Sequence, residues 1–144
     1  MPALFIKKYG IRSIYFCYKK NLLKNPPKAL EYNMFKQYLR YDEEDDYYYD
    51  LDEFAYWGRW HGLNLFILKY FSNREDYPKE YIDSGCCIFI DETAIDTIIK
   101  MFNEGKLNSE YDSYSHNNEY NKQILNGIKE LIQEGYYIYY YASW

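Results

Sequence analysis

The sequence predicts a single α+β domain over residues 1–144, with a small mixed or antiparallel sheet packed against about four helices. The length of 144 residues is typical of one domain, and no repeat or linker-like segment divides the chain. Segments rich in β-branched and aromatic residues alternate with segments of helical periodicity. The segment 53–71 is apolar on nearly all sides, which predicts a buried central helix.

The N-terminal residues 3–20 predict a β-hairpin. They contain two β-branched and aromatic runs around Gly10, and such residues favour extended strands. Pro26 and Pro27 end this unit, because the residue before a proline is disfavoured in a helix. Residues 28–40 then predict a short amphipathic helix with an apolar face formed by Leu30, Met34 and Tyr38.

Residues 42–53 predict an acidic loop that also carries three tyrosines. Its last carboxylates suit the N-terminus of a following helix, with Asp50 or Asp52 as the N-cap. Such a run is most often a solvated loop. The alternative is a partner-binding surface whose carboxylates imitate nucleic-acid phosphates and whose rings act as anchors. The candidate residues are Asp42, Glu43, Glu44, Asp45, Asp46, Tyr47, Tyr48 and Tyr49.

The predicted central helix over 53–71 carries a stripe of small residues, Ala55, Gly58 and Gly62. Glycine inside a helix costs about 1 kcal/mol relative to alanine, so two glycines need an offsetting gain. We expect that gain to come from close packing of another backbone, with a bound ligand as the alternative.

The second half of the chain predicts clear local units. The predicted elements are a strand over 86–90, a helix over 91–103, a polar loop over 106–115, a helix ending at Glu134 and a strand over 136–144. Gly105 and Gly135 follow the two helices, and glycine commonly stands just beyond a helix C-terminus.

Cysteine usage argues against a secreted, disulfide-stapled fold. The chain has three cysteines, Cys17, Cys86 and Cys87. Their number is odd, and the adjacent pair cannot bridge to itself without strain. The sequence therefore predicts a reducing compartment.

The sequence also predicts a cytoplasmic protein that does not span a membrane. Lys7 and Lys8 interrupt the first apolar run too early for a signal peptide. Arg59, His61 and Asn64 interrupt the most apolar later segment, which is therefore too short for a span of about 20 residues.

Charge and tyrosine content both point to contact surfaces. Residues 1–41 carry nine Lys or Arg against one Glu, whereas the remaining residues carry eight against 21 Asp or Glu. The 21 tyrosines fit an AT-rich genome, but tyrosine is also enriched at protein interfaces. Tyr111 and Tyr114 are a second candidate partner-binding patch, and self-association through tyrosines is an alternative.

Five residues of the central segment form a candidate ligand site: Trp57, Arg59, Trp60, His61 and Asn64. Buried polar groups need partners, so the first interpretation is that they bond to other parts of the fold. The alternative is a pocket for an anionic or nucleotide-like ligand, in which Arg59 donates hydrogen bonds and the tryptophans stack on a base.

Catalytic and metal-binding patterns are weak. A histidine beside Asp112 or Glu119 could act as a general base, but no nucleophile or oxyanion donor is placed beside it. The possible metal ligands Cys86, Cys87, His61 and His116 lack the spacing of a metal site. We therefore expect no enzyme activity, no cofactor and no bound metal.

Two motifs resemble a family of small, mostly uncharacterised proteins of bacteriophages and their hosts. The segment YWGRWHGLNLFI, residues 56–67, resembles that family's YWRKxNxIHxWF helix, and IYYYASW, residues 138–144, resembles its closing YYxxSW. In the family the second motif also follows a loop rich in Asp and Tyr, here EYDSYSHNNEY, and a long helix. The resemblance implies a phage or prophage origin and an α+β domain.

From these observations we expect a phage accessory protein that binds and inhibits a bacterial defence protein, with an anti-CRISPR-like role as its leading form. A nucleic-acid-binding effector is the partner that suits the acidic residues. One alternative is a binder or hydrolase of a nucleotide immune signal that uses the candidate ligand residues. The other is a structural phage protein that self-associates.

Overall fold

The computed structural model describes residues 13–19, 25–38, 41–42, 47–48 and 52–143. Within these ranges the strands are β1 (Ser13–Lys19), β2 (Ala29–Glu31), β3 (Tyr41–Asp42), β4 (Tyr47–Tyr48), β5 (Asp52–Trp57), β6 (Cys86–Phe89) and β7 (Tyr137–Ser143). The helices are α1 (Tyr32–Phe35), α2 (His61–Ser72), α3 (Glu92–Asn103) and α4 (Glu119–Gln133). The α+β class predicted from the sequence is confirmed.

Five strands form one antiparallel sheet in the order β2-β6-β7-β1-β5. The central strand, β7, pairs along its whole length with β1, so that Ser13 lies opposite Ser143 and Phe16 opposite Tyr140. β3 and β4 form a separate two-stranded pair. The sheet therefore joins segments that are far apart in the sequence.

One face of the sheet carries the main core. Alternate residues of a strand point to opposite faces, and Ile138, Tyr140 and Ala142 of β7 all belong to this buried cluster. Helices α2, α3 and α4 cover the face with the apolar residues Leu63, Ile67, Phe71, Ile95, Ile98, Leu125 and Ile128.

The opposite face carries a smaller aromatic cluster. Tyr139 and Cys87 are fully buried there under Phe35 of α1, whose ring centroid lies 4.6 Å from that of Tyr139. Burial raises the pKa of the Tyr139 hydroxyl and of the Cys87 thiol. All three cysteines are free and buried, so Cys87 behaves as a small apolar residue.

The predicted helix over 53–71 is wrong in its first half. Residues 52–57 form the edge strand β5, in which Trp57 lies opposite Ile14, and α2 begins only at His61. Asp52 therefore belongs to a strand and is not a helix N-cap. An apolar stretch without a polar face fits a strand as well as a helix, and pairing with distant β1 decides the outcome.

The predicted helix over 28–40 is also wrong for the most part. Ala29–Glu31 pair with β6, and only the single turn of α1 and a 3₁₀ turn at Lys36–Tyr38 are helical. Met34, predicted on the apolar face, is 51% exposed. β1 lies within the predicted hairpin, whose other residues, 3–12 and 20, lie outside the described residues.

The predictions for the second half are confirmed. Strand β6, helix α3, helix α4 and strand β7 occupy the predicted positions, and none of the described helices is long and apolar enough to cross a membrane. Asp91 caps α3 by accepting a hydrogen bond from the amide of Ala94 at 2.9 Å. Gly105 and Gly135 have φ values of 71° and 94°, which glycine adopts readily after a helix.

Candidate functional site

Residues 107–118, in the loop between α3 and α4, fold over the N-terminus of α2; we call this segment the tyrosine loop. Asp112 makes the central contact. Its carboxylate accepts hydrogen bonds from the amides of His61 at 2.7 Å, Gly62 at 3.1 Å and Ser109 at 2.9 Å. Because a helix N-terminus leaves amides without intrahelical acceptors and is electropositive, Asp112 caps α2 from a distant part of the chain.

Gly62 allows the backbone of the tyrosine loop to lie directly on α2. A Cβ atom at this position would lie 2.0 Å from the carbonyl oxygen of Leu107 and 2.8 Å from Cα of Asn108. The same carbonyl oxygen accepts a hydrogen bond of 2.7 Å from Nε1 of Trp60, whose side chain is fully buried. The expected close approach of another backbone therefore occurs at Gly62. The predicted helical stripe is otherwise wrong, because Ala55 lies in β5 and Gly58 precedes α2.

His116 fixes the far end of the tyrosine loop. Its ring is 1% exposed and stacks on Trp60, with centroids 4.8 Å apart and an interplanar angle of 18°. Nε2 lies 2.8 Å from the carbonyl oxygen of Arg59. Since a carbonyl only accepts, Nε2 carries the proton. Burial lowers the pKa of the imidazole, which favours its neutral form.

Asn121 connects the tyrosine loop to the sheet. Its Oδ1 accepts a hydrogen bond of 2.9 Å from Nε1 of Trp57, and its Nδ2 donates one of 2.8 Å to the carbonyl of His116. The side chain is 3% exposed. The backbone N–H of Asn121 donates to Oδ1 of Asn118, the N-cap of α4, at 2.8 Å. These contacts hold the loop at both ends and in the middle.

Among the predicted ligand residues, the indole nitrogens of Trp57 and Trp60 and Oδ1 of Asn64 already have partners within the fold. Nε1 of Trp57 and of Trp60 donates within the fold, and Oδ1 of Asn64 accepts a hydrogen bond from Tyr140 at 2.5 Å. A nucleotide at these residues would compete with those bonds. Structural partners are thus the interpretation that the contacts favour.

Arg59 departs from its prediction. The sequence predicts a buried guanidinium in a helix, whereas Arg59 is exposed in the short connection between β5 and α2. His61 and Asn64 are buried as expected, with 7% and 5% of their surface exposed. The difference follows from the break in the predicted helix, which places Arg59 outside α2.

The tyrosine loop presents two exposed rings. Tyr111 and Tyr114 are 65% and 66% exposed, and both were candidate partner-binding residues. The ring centroid of Tyr111 lies 6.3 Å from that of His61, and the centroid of Tyr114 lies 4.6 Å from that of His116. Each ring therefore contacts a buried histidine and still leaves most of its surface exposed.

Tyr120, in the first turn of α4, is 71% exposed and adds a third ring. The sequence interpretation missed it, although the Glu-Tyr pair at 119–120 repeats the pair at 110–111 and was a usable signal. We call the exposed rings of Tyr111, Tyr114 and Tyr120, which follow one another in the sequence, the tyrosine surface.

No family model, curated protein or solved structure matches this chain. The motif at residues 56–67, which resembles a phage-protein helix, spans the end of β5, a short connection and the start of α2. The resemblance itself stays a prediction.

The candidate residues of the acidic loop are described only in part. Asp42 lies in β3 opposite Tyr47 of β4, and Tyr48 follows Tyr47 in the same strand. Glu43, Glu44, Asp45, Asp46 and Tyr49 lie outside the described residues. The structure therefore gives the tyrosine surface, and not the acidic loop, as the site with a defined geometry.

Within the part of the chain that the structure describes, no three His, Cys, Asp or Glu residues come together as metal ligands. His61 and His116 lie near Asp112, but that carboxylate already accepts three backbone amides. Its geometry is that of a helix cap. What this site presents to solvent is the exposed rings of Tyr111, Tyr114 and Tyr120.

Proposed function

We propose that this chain is a phage-encoded accessory protein without enzymatic activity that binds a bacterial defence protein and inhibits it by occlusion, as an anti-CRISPR protein does. The observation that carries the proposal is the exposure of Tyr111 and Tyr114, about two-thirds each, on a loop that is firmly held by buried contacts.

Firm attachment matters because binding costs conformational entropy. A mobile loop loses that entropy when it meets a partner, whereas a loop already fixed by Asp112, His116 and Asn121 loses little. Tyrosine is among the residues that contribute most at protein interfaces, and removing one central ring commonly costs 2 kcal/mol or more. A pre-organised loop with exposed rings is therefore well suited to bind another protein.

The proposal that the partner is a bacterial defence protein rests on the sequence motifs. The motifs at residues 56–67 and 138–144 resemble phage proteins, and a small phage protein that binds a host protein commonly serves to block it. If the partner binds nucleic acid, the carboxylates of residues 42–46 would occupy its basic nucleic-acid-binding surface and so contribute to inhibition.

A capture experiment tests the proposal. The full chain is immobilised and exposed to a lysate of a bacterial strain that carries defined defence systems, and retained proteins are identified by mass spectrometry. We expect one defence protein to be retained by the unchanged chain and lost with the double variant Tyr111→Ser/Tyr114→Ser. Met34→Ser is the matched control, because Met34 is 51% exposed but lies on α1, which covers the opposite face of the sheet.

A plating assay then separates inhibition from mere binding. Expression of the unchanged chain should restore plating of a phage that the captured system blocks, and the double variant should not. Retention of no defence protein, or equal activity of the double variant and the unchanged chain, would refute the proposal.

A further inference from the structure

This protein contains an internal example of how its tyrosines and carboxylates hold an arginine. The guanidinium of Arg74 donates from Nε and Nη2 to the Asp76 carboxylate at 3.0 and 2.7 Å, and its Nη1 lies 2.8 Å from the Asp91 carboxylate. Its Cζ lies 4.8 Å from the ring centroid of Tyr77. The hydrogen bond from Arg74 holds the pKa of Asp76 well below its usual range. Carboxylates and an aromatic ring thus bind this cation together.

The tyrosine surface carries the same kinds of group. Glu110 precedes Tyr111 and Glu119 precedes Tyr120 in the sequence, and all four residues are exposed. Between Lys106 and Lys122 the sequence contains no lysine or arginine. Among the ion pairs of the described residues, none includes Glu110 or Glu119.

We propose that the tyrosine surface binds arginine side chains on a basic surface of a partner protein; this inference rests on the function proposed above. The rings of Tyr111, Tyr114 and Tyr120 supply the faces on which guanidinium groups stack, and Glu110 and Glu119 supply the acceptors. Arginine fits better than lysine because its planar guanidinium stacks on a ring and meets a carboxylate through two parallel hydrogen bonds. Nucleic acid itself is disfavoured because its phosphates carry the same charge as the surface.

The test uses the full chain and two labelled probes, nona-arginine and nona-lysine peptides, with binding followed by fluorescence anisotropy at low and physiological salt. We expect nona-arginine to bind more tightly than nona-lysine. Tyr111→Phe keeps an aromatic face and should bind as the unchanged chain does. Tyr111→Leu keeps apolar bulk without the π face and should weaken binding by about fivefold.

Charge variants separate a specific site from general attraction to an acidic protein. Glu110→Gln is compared with Glu130→Gln, which removes one negative charge from an exposed position later in α4. Only the first should weaken nona-arginine binding beyond the small effect of net charge. Equal binding by these two variants, or equal binding by Tyr111→Leu and Tyr111→Phe, would overturn the inference. Circular dichroism checks that each variant is folded.

The outcomes distinguish this inference from the proposed function. If a captured defence protein binds through Tyr111 and Tyr114 but is unaffected by Glu110→Gln and by salt, arginine recognition is wrong and the inhibitor proposal stands. If the arginine probe behaves as expected but no defence protein is retained, the surface recognises basic proteins of another kind.

Discussion

Replacing Gly62 with alanine is expected to displace the tyrosine loop from α2. The added Cβ would lie 2.0 Å from the carbonyl oxygen of Leu107, whereas ordinary van der Waals contact begins at 3.4 Å. The loop backbone must therefore retreat by about 1.4 Å, the difference between these two distances. It cannot yield by rotating a side chain, because the contacting atoms belong to the backbone.

That retreat weakens two hydrogen bonds. The first runs from Nε1 of Trp60 to Leu107 at 2.7 Å, and a buried donor left unsatisfied costs about 1–3 kcal/mol. The second runs from the Gly62 amide to Asp112 at 3.1 Å, and loss of a helix cap costs about 1 kcal/mol. The helix preference of alanine returns at most about 1 kcal/mol. We expect the free energy of unfolding to fall by about 1–3 kcal/mol, out of the usual 5–15 kcal/mol of a domain.

Urea denaturation followed by tryptophan fluorescence measures this change, and Gly58→Ala is the matched control. A Cβ at Gly58 has its nearest neighbour 3.9 Å away, at the hydroxyl of Tyr56, so this variant should be neutral or slightly stabilised. The fluorescence emission of the native Gly62→Ala variant should also shift to longer wavelength, because displacement of the tyrosine loop exposes Trp60 to water. A difference of less than about 0.5 kcal/mol between the two variants would refute the close packing inferred at Gly62.

Further predictions concern the other contacts of the site. Asp112→Ala should lower the free energy of unfolding by about 2 kcal/mol in the same assay, because three amides lose their acceptor; an unchanged stability would argue against the cap. Asn121→Leu should cost about 2–4 kcal/mol, since Trp57 and the carbonyl of His116 both lose a buried partner. The native pKa of His116 lies below its unfolded value of about 6.5, so thermal stability should decrease as the pH falls from about 7.5 to 5.5. His116→Gln should flatten that profile, and an equally steep one would exclude His116 as its origin. Asp76 has a lowered native pKa, so the stability it contributes above its unfolded pKa of about 3.9 should be lost as the pH falls below that value. Asp76→Asn should remove this acid dependence.

Local signals predicted α3 and α4 correctly because residues at the ends of these helices mark where each one begins and ends. Asp91 supplies the N-cap of α3, and Gly105 follows its end with a positive φ. Each signal acts within one turn of the element that it defines. A single sequence is sufficient to read such information.

The contacts that define the site could not be read in this way. Asp112 caps a helix that begins 51 residues earlier, and Asn121 meets Trp57 across 64 residues. No periodicity connects such pairs. The sequence identified Tyr111 and Tyr114 as candidates from residue type alone, but their exposure and attachment depend on those distant contacts.

The secondary structure of β5 could not be predicted from local sequence either. Phe54, Trp57 and His61 follow one another at helical spacing, but the first two belong to a strand that is fixed by pairing with β1. Gly58 is a local sign of a break between strand and helix, but the sequence pattern also fits a stripe of small residues along a helix. Competition between local preference and long-range pairing was decided by the pairing.

The central position of β7 also has a kinetic consequence. β7 is the last described strand along the chain, yet it joins β6 to β1 in the middle of the sheet. Until it docks, β2-β6 and β1-β5 are two separate pairs of strands with open edges. Because pairing of Ser13 with Ser143 closes a very long loop, folding should be slow for a domain of this size. During that interval the exposed edges of β1 and β6 are the places where this chain is most open to aggregation or to a chaperone.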